Sequence, residues 1–231
     1  MTIPQFINDF INLIFPETCI ACGGELPPKE KYLCPHCLLD LPKTNYHKEP
    51  ENPVEQIFWG RIPIQYATSY FFYTKGSRYQ RLIHEMKYNG KKNIGYELGG
   101  KMGNELKSSP FSEVDYIVPV PLHKKKLRKR GFNQSEWIGK GMAEKLNKPL
   151  STDILYRAEY TDSQTKKSKY ERWLNVEKVF KLKDKFTFRN KHILLVDDIL
   201  TTGATLEACA NTILETKNTS ISIATLGFSD K

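Results

Sequence analysis

Two adjacent carboxylates, Asp197 and Asp198, sit between an aliphatic run and a turn of hydroxyl-bearing and small residues, in the stretch His192-Ile-Leu-Leu-Val-Asp-Asp-Ile-Leu-Thr-Thr-Gly-Ala-Thr205. Carboxylates side by side are acceptors for a vicinal diol. Thr201, Thr202, Gly203, Ala204 and Thr205 form a turn from which a helix can start, and its successive backbone N–H groups make a nest for an anion. Ile193 to Val196 read as a short strand buried on both faces, as in a parallel sheet. Ligands bind at the carboxyl ends of such strands, which is where the acid pair falls. Two aspartates can also merely cap a turn, and Thr-Thr-Gly can be an ordinary helix start. The combination, in this order after a buried strand, favours a receptor for a ribose 5-phosphate group.

The same run resembles the phosphoribosyl-pyrophosphate (PRPP) motif of the type I phosphoribosyltransferases. The resemblance implies that Asp197 and Asp198 hold the ribose 2′- and 3′-hydroxyls and that Thr201 to Thr205 hold the 5-phosphate.

A second constellation lies near the N-terminus. Cys19-x-x-Cys22 and Cys34-x-x-Cys37 are separated by eleven residues, a spacing that lets four thiolates surround one tetrahedral zinc ion. Gly23, Gly24 and Pro35 supply the tight turns. Two disulfides or four unrelated thiols are the other readings, and disulfides are disfavoured in a cytoplasmic chain. A closed four-cysteine site leaves no position for water or substrate and is therefore structural. His36 is read as solvated and Cys209 as a buried small hydrophobe.

The third feature is a basic tract, His123-Lys-Lys-Lys-Leu-Arg-Lys-Arg130, with six Lys or Arg in eight residues, followed by Gly131-Phe-Asn-Gln134. Such tracts are often only solvated charge. This one leaves the carboxyl end of a predicted strand, on the same edge as Asp197. Lys124, Lys125, Arg128, Lys129 and Arg130 are therefore candidates for contact with pyrophosphate or nucleic acid, with Gly131 giving flexibility and Asn133 and Gln134 donating hydrogen bonds. Lys166, Lys167, Lys169 and Arg172, in the polar cluster Gln164 to Asn175, form either a lid over pyrophosphate or an exposed loop.

The elements that must position these groups follow from pattern. Strands are predicted at Gln65 to Tyr73, Asp115 to Val118, Ile154 to Tyr156 and Ile221 to Leu226, besides the one before Asp197. Helices are predicted at Gly76 to Tyr88 (Tyr79, Leu82, Ile83 and Met86 on one face), Ile94 to Leu106, Asn133 to Leu146 and Ala204 to Thr216. This alternation implies an α/β fold, a mainly parallel twisted sheet with helices on both faces. Residues 43–63, with Pro50, Pro53 and Pro63, read as a linker. The expected division is 1–48 for an N-terminal helix and zinc ribbon and 64–231 for the α/β domain.

The 231 residues carry a formal net charge of +9. Residues 1–50 hold four lysines against six acidic residues, a net of −2, which leaves +11 on residues 51–231. The larger domain thus suits a polyanion, and the cysteine module by itself is a poor grip for DNA. No apolar stretch approaches the roughly 20 residues needed to span a bilayer. Met1 to Phe15 lacks a basic leader and reads as a short amphipathic helix rather than a signal peptide, so the cytoplasm is the expected location. Tyr88, Phe132 and Trp137 stand beside basic residues and are candidates for stacking on bases, with core packing as the default role.

Together these segments resemble the ComF family over nearly the whole chain: Phe15-Pro-x-x-Cys19, the four cysteines, Met86-Lys-Tyr-Asn-Gly90, Val118-Pro-Val-Pro121, Arg130-Gly-Phe-Asn-Gln134, the Gln164…Arg172…Asn175 cluster and the PRPP motif. Lys167 departs from the family, which commonly has Leu there, whereas Ser168 and Arg172 match. The resemblance implies a type I phosphoribosyltransferase-like fold with an N-terminal four-cysteine zinc ribbon, structural Zn²⁺, and Mg²⁺ brought with PRPP. It implies either transfer of a phosphoribosyl group to an acceptor or a non-catalytic PRPP- and single-stranded-DNA-binding role in natural DNA uptake, alongside other uptake proteins.

Overall fold

A computed structural model describes residues 17–28, 30–158 and 179–229. The predicted helix Met1 to Phe15 and the cluster Gln164 to Asn175 lie outside the described residues. The main sheet contains β1 (Ala67–Phe72), β2 (Tyr116–Pro119), β5 (His192–Leu200) and β6 (Ser220–Phe228) in the order β1-β6-β5-β2. All neighbouring pairs are parallel, with Val118 beside Leu195, Val196 beside Ala224 and Ala67 beside Ile223.

The aliphatic run of β5 has both faces covered, as its lack of alternation requires. Leu194 and Val196 join one core with residues of α3 (Gln80–Tyr88), α4 (Lys92–Leu106) and α6 (Gln134–Leu146). Ile193 and Leu195 join the other core with Leu206, Ala210 and Ile213 of α7 (Ala204–Leu214). Cys209 of α7 is fully buried there, in the role expected of it. Helices α4 and α6 touch backbone to backbone: a Cβ on Gly99 would strike the Ile138 carbonyl, and one on Gly141 the Tyr96 carbonyl.

Two sequence expectations change. The predicted strand near residue 155 does not belong to the parallel sheet. As β3 (Leu155–Arg157) it pairs antiparallel with β4 (Phe180–Leu182) in a separate ribbon. Both strands run buried, exposed, half-buried, the pattern of a ribbon packed through one face rather than of a strand covered on both.

Residues 43–63 are no free linker. Near their start, Phe72 N–H donates to the Pro42 carbonyl at 2.8 Å and Thr44 N–H to the Tyr70 carbonyl at 3.1 Å, which fastens the chain along β1. Asn52 then caps the short helix α2 (Pro53–Gln56), accepting from Val54 N–H at 3.0 Å and Glu55 N–H at 3.2 Å. Its amide donates to the carbonyls of Tyr46, Glu49 and Ala67. The signal was an N-cap asparagine followed by proline at the first helical position, with Val54 and Phe58 four residues apart, and both are fully buried.

The cysteine segment shares the first core. Cys19, Ala21, Leu33, Cys37 and Leu41 pack in one cluster with Tyr70, Phe71, Tyr79 and Leu82. Among the described residues, no helix is long and apolar enough to cross a membrane.

Candidate functional site

Strand β2 ends at Pro119, opposite Val196. Beyond that point β5 continues with β6 as its only strand partner among the described residues, through Asp197 beside Thr225 and Leu200 beside Phe228. The acid pair therefore lies within the strand rather than after it, and its other edge opens where β2 has stopped. Into that opening come groups from two helices. Ser135, in the first turn of α6, donates its hydroxyl to Asp197 Oδ1 at 2.8 Å, and the Asp198 N–H donates to the same oxygen at 2.8 Å. Lys87, near the end of α3, places Nζ 2.7 Å from Asp198 Oδ2, with the two side chains only 20% and 15% exposed. Burial first and the Asp198 charge second push the Asp197 carboxyl up to about 7, against the lowering effect of Ser135, the Asp198 N–H and Lys87.

The turn after β5 lines a depression of about 50 Å³ with Thr201, Thr202, Gly203, Ala204 and Thr205, and Asp197 also lines it. Gly203 is the N-cap of α7 with φ 74°, so the helix starts there with its first N–H groups without helical partners. Both threonines before it and the two residues after it are exposed. A buried strand, a left-handed glycine and a helix N-terminus together give the local field that favours an anion.

The turn is buttressed by the segment expected to be a linker. A Cβ on Gly203 would stand 2.9 Å from the Phe58 ring and 3.1 Å from Ile57. Arg61 donates to the carbonyls of Thr202 at 2.8 Å and Ile57 at 3.0 Å and pairs with Glu207. Gly203→Ala is therefore expected to lower stability by about 2–3 kcal/mol, from the left-handed backbone and the forced displacement of Phe58. Urea unfolding checks this, and an unchanged midpoint would contradict it.

The basic tract forms a short helix, α5 (Lys124–Arg130), rather than a flexible run. His123 Nδ1 accepts from Lys125 N–H at 3.1 Å, and Gly131 stops the helix at φ 79°. Gly131 thus acts as a C-cap, where flexibility was expected. Lys124, Lys125, Arg128 and Lys129 are exposed. Arg130 instead turns inward, donating to Gln134 Oε1 at 2.8 Å and lying 5.6 Å from the Tyr88 ring centre. Tyr88 neighbours Lys87, so the basic helix is tied to the acid pair through adjacent residues.

Asn133 caps α6 through Ser135 N–H at 3.2 Å and donates to the Val120 carbonyl at 3.0 Å. Gln134 is 1% exposed, and its amide nitrogen has no hydrogen-bond partner among the described residues. Both residues, expected to face ligand, are placed at the α6 N-terminus that carries Ser135 to Asp197. Of the three stacking candidates, Tyr88 is 59% exposed, against the core role expected by default. Trp137 is half-buried, with the ammonium groups of Lys92 and Lys140 at 4.4 and 4.6 Å from its ring, and Phe132 is half-buried.

Lys87, Ser135 and Arg61 were not singled out from sequence. Lys87 lies inside the Met86-Lys-Tyr-Asn-Gly90 segment, and Ser135 is the second residue after an N-cap asparagine. Those two signals could have marked them. Arg61 had none, since Thr202 and Glu207, the partners that tie it to the turn, are remote in the chain.

The four cysteine sulfurs all lie within 4.8 Å of one another, with Cys22 and Cys34 at 3.9 Å. Four zinc-bound sulfurs at about 2.3 Å from the ion stand roughly 3.8 Å apart, so the set fits a tetrahedral metal after a small contraction. Burial raises the Cys19 thiol, but N–H donors from Cys34, Cys22 and Ala21 outweigh it and bring it down to about 6. Burial and the three neighbouring cysteines push Cys37 up, the penalty that a central cation removes. His36 points away, mostly exposed, with Nδ1 3.4 Å from Asp40.

The phosphoribosyl transferase domain family matches residues 133–229, from the N-cap of α6 through β6. Competence protein ComFC of Bacillus subtilis is 40% identical over 216 residues, covering 91% of this chain and 83% of that protein. DNA utilization protein YhgH of Escherichia coli is 26% identical over 200 residues, covering 85% and 83%. Competence protein F of Haemophilus influenzae is 34% identical over 93 residues, covering 39% and 40%.

Proposed function

The chain belongs to the ComF family, with a type I phosphoribosyltransferase-like fold and an N-terminal four-cysteine cluster able to hold a metal, and from that premise we propose that it binds PRPP and transfers the phosphoribosyl group to an acceptor with release of pyrophosphate. The observation that carries this reading is the Asp197–Asp198 pair beside the Gly203 turn, at the edge where β2 has ended. Asp197 and Asp198 accept from the ribose hydroxyls, and the α7 N-terminus takes the 5-phosphate. Loss of pyrophosphate from C1 leaves positive charge on the ring. Two carboxylates fixed nearby stabilise that charge, and exposed cations on α5 stabilise the leaving group.

The acceptor needs no nucleophile from the protein, because positioning supplies much of the rate. Mg²⁺, a hard cation, would neutralise the pyrophosphate and bind its oxygens when PRPP arrives. The oxygen donors of the acid pair suit such a cation. In the cysteine module the ion is assigned as structural Zn²⁺, since all four positions are protein thiols.

A second reading rests on a separate observation: α5 presents exposed lysines and arginine beside an exposed Tyr88 that Arg130 stacks against. Cations interleaved with an aromatic suit single-stranded DNA, in keeping with the competence and DNA-utilization names of the relatives. In this role the protein would bind PRPP and DNA without turnover, together with other DNA-uptake proteins.

Pyrophosphate release from PRPP, assayed with a panel of bases, tests the first reading. Release with one of them is expected, and PRPP binding with no release would favour the second. Under the second reading, neutralising Lys124, Lys125, Arg128 and Lys129 together should lower the slope of log affinity against log salt for a single-stranded oligonucleotide by about 2–3, at roughly 0.7 per phosphate contact. An unchanged slope would place DNA elsewhere.

A further inference from the structure

Lys87 reaches the acid pair from the last turn of a nine-residue helix. A helix so short is marginal by itself and keeps its place through tertiary contacts. Leu82, Ile83 and Met86 bury one face of α3, but an apolar face alone tolerates sliding and rotation. Direction must come from the ends.

At the N-terminal end, Tyr79 is the N-cap residue and makes no side-chain cap bond to the helix. Its hydroxyl donates instead to the carbonyl of Cys37, a member of the four-cysteine cluster, at 3.0 Å. Arg78 next to it lies 5.0 Å from the Tyr79 ring centre and bonds Asp40 Oδ2 at 2.8 Å, just beyond the short helix α1 (Pro35–Leu39) that carries Cys37. At the C-terminal end, Lys87 meets Asp198. The distance along the helix from Tyr79 to Lys87 is about 12 Å at 1.5 Å per residue. One rigid element thus has one end fixed to the cysteine module and the other at the acid pair.

We infer that the four-cysteine module is the anchor that holds Lys87 in register with Asp198, so that Tyr79 and Arg78 are positioning residues for the PRPP site. This rests on the PRPP reading of that site. Lys87 is a tethered cation: its ammonium takes one oxygen of Asp198 and leaves the other as an acceptor for a ribose hydroxyl. It also offsets the repulsion between two adjacent carboxylates and an arriving polyanion. If the anchor is released, α3 stays packed but its last turn shifts, and the ammonium no longer holds Asp198.

The test is a double-mutant cycle read by calorimetric titration with PRPP and Mg²⁺, with zinc content and melting temperature measured on every protein. Lys87→Met is expected to weaken PRPP binding about tenfold and Lys87→Arg to restore most of it, while Arg78→Ala/Tyr79→Phe, with zinc retained, weakens it roughly threefold. Tyr79→Phe alone is the milder step, should the combined variant fold poorly. Because the anchor acts through Lys87, combining its loss with Lys87→Met should give no further weakening. Full affinity in the anchor variants, or losses that multiply in the combination, would overturn the inference. Wild-type protein that does not bind PRPP would overturn the site reading as well. Binding that is lost in Asp197→Asn/Asp198→Asn while the cycle is additive would overturn the inference alone.

Discussion

Asp197→Asn/Asp198→Asn is expected to lower PRPP affinity by roughly a hundred- to ten-thousandfold while the protein stays folded, since each carboxylate-to-hydroxyl hydrogen bond contributes roughly 1.5–3 kcal/mol. The single variant Asp197→Asn supplies the control that separates loss of ligand contacts from loss of fold. Burial and the Asp198 charge raise the Asp197 carboxyl to about 7 in the folded chain, against about 3.9 when unfolded. Between these values the native state holds a proton that the unfolded state has released, so this group's contribution to stability is fullest below about pH 4. It falls as pH rises from there to 7 and stays low above. The asparagine carries no charge, and its amide oxygen still accepts from Ser135. At pH 8 Asp197→Asn should therefore melt a few degrees higher than wild type, a gain on the order of 1–2 kcal/mol, and the difference should shrink at pH 5. A variant that melts lower at pH 8 would show that Asp197 contributes to the fold and is not held at its expense.

Cys37→Ser is expected to remove the metal and to destabilise the whole described chain, not only the N-terminal segment. Structural zinc contributes on the order of 10 kcal/mol of binding free energy that exists only in the folded state. Zinc held by these four cysteines would couple that energy to the main core. Cys19, Leu33 and Cys37 belong to the same buried cluster as Tyr70 and Phe71 of β1 and Leu82 of α3. Wild-type protein purified without chelator should hold close to one zinc per chain, and Cys37→Ser close to none, with a broad, lowered melting transition. A metal-to-protein ratio near zero in the wild type would discard the zinc assignment.

What was legible in the sequence is what depends on neighbours along the chain. The strand, acid pair and glycine turn are contiguous. So are the two cysteine pairs and the helical faces of Leu82, Ile83 and Met86. The parallel sheet followed from strands alternating with helices. The bonds that complete the site are different in kind: Lys87 to Asp198, Ser135 to Asp197 and Arg61 to Thr202 each join segments far apart in sequence. No local pattern encodes such a pair. Residues 43–63 were misread because their prolines and polar residues outweighed Val54, Ile57 and Phe58 in a composition-based view. Their Asn52-Pro53 cap signal was nonetheless present. The ribbon of β3 and β4 was missed because three residues are too few to show whether one face or both are buried.

On the proposed reading, the edge formed by Asp197, Asp198 and the Gly203 turn binds PRPP. Calorimetric titration of the wild-type protein with PRPP in the presence of Mg²⁺ decides this. Saturable binding of one PRPP per chain is expected, lost in Asp197→Asn/Asp198→Asn. An absence of binding, or equal affinity in the wild type and the double variant, would contradict it.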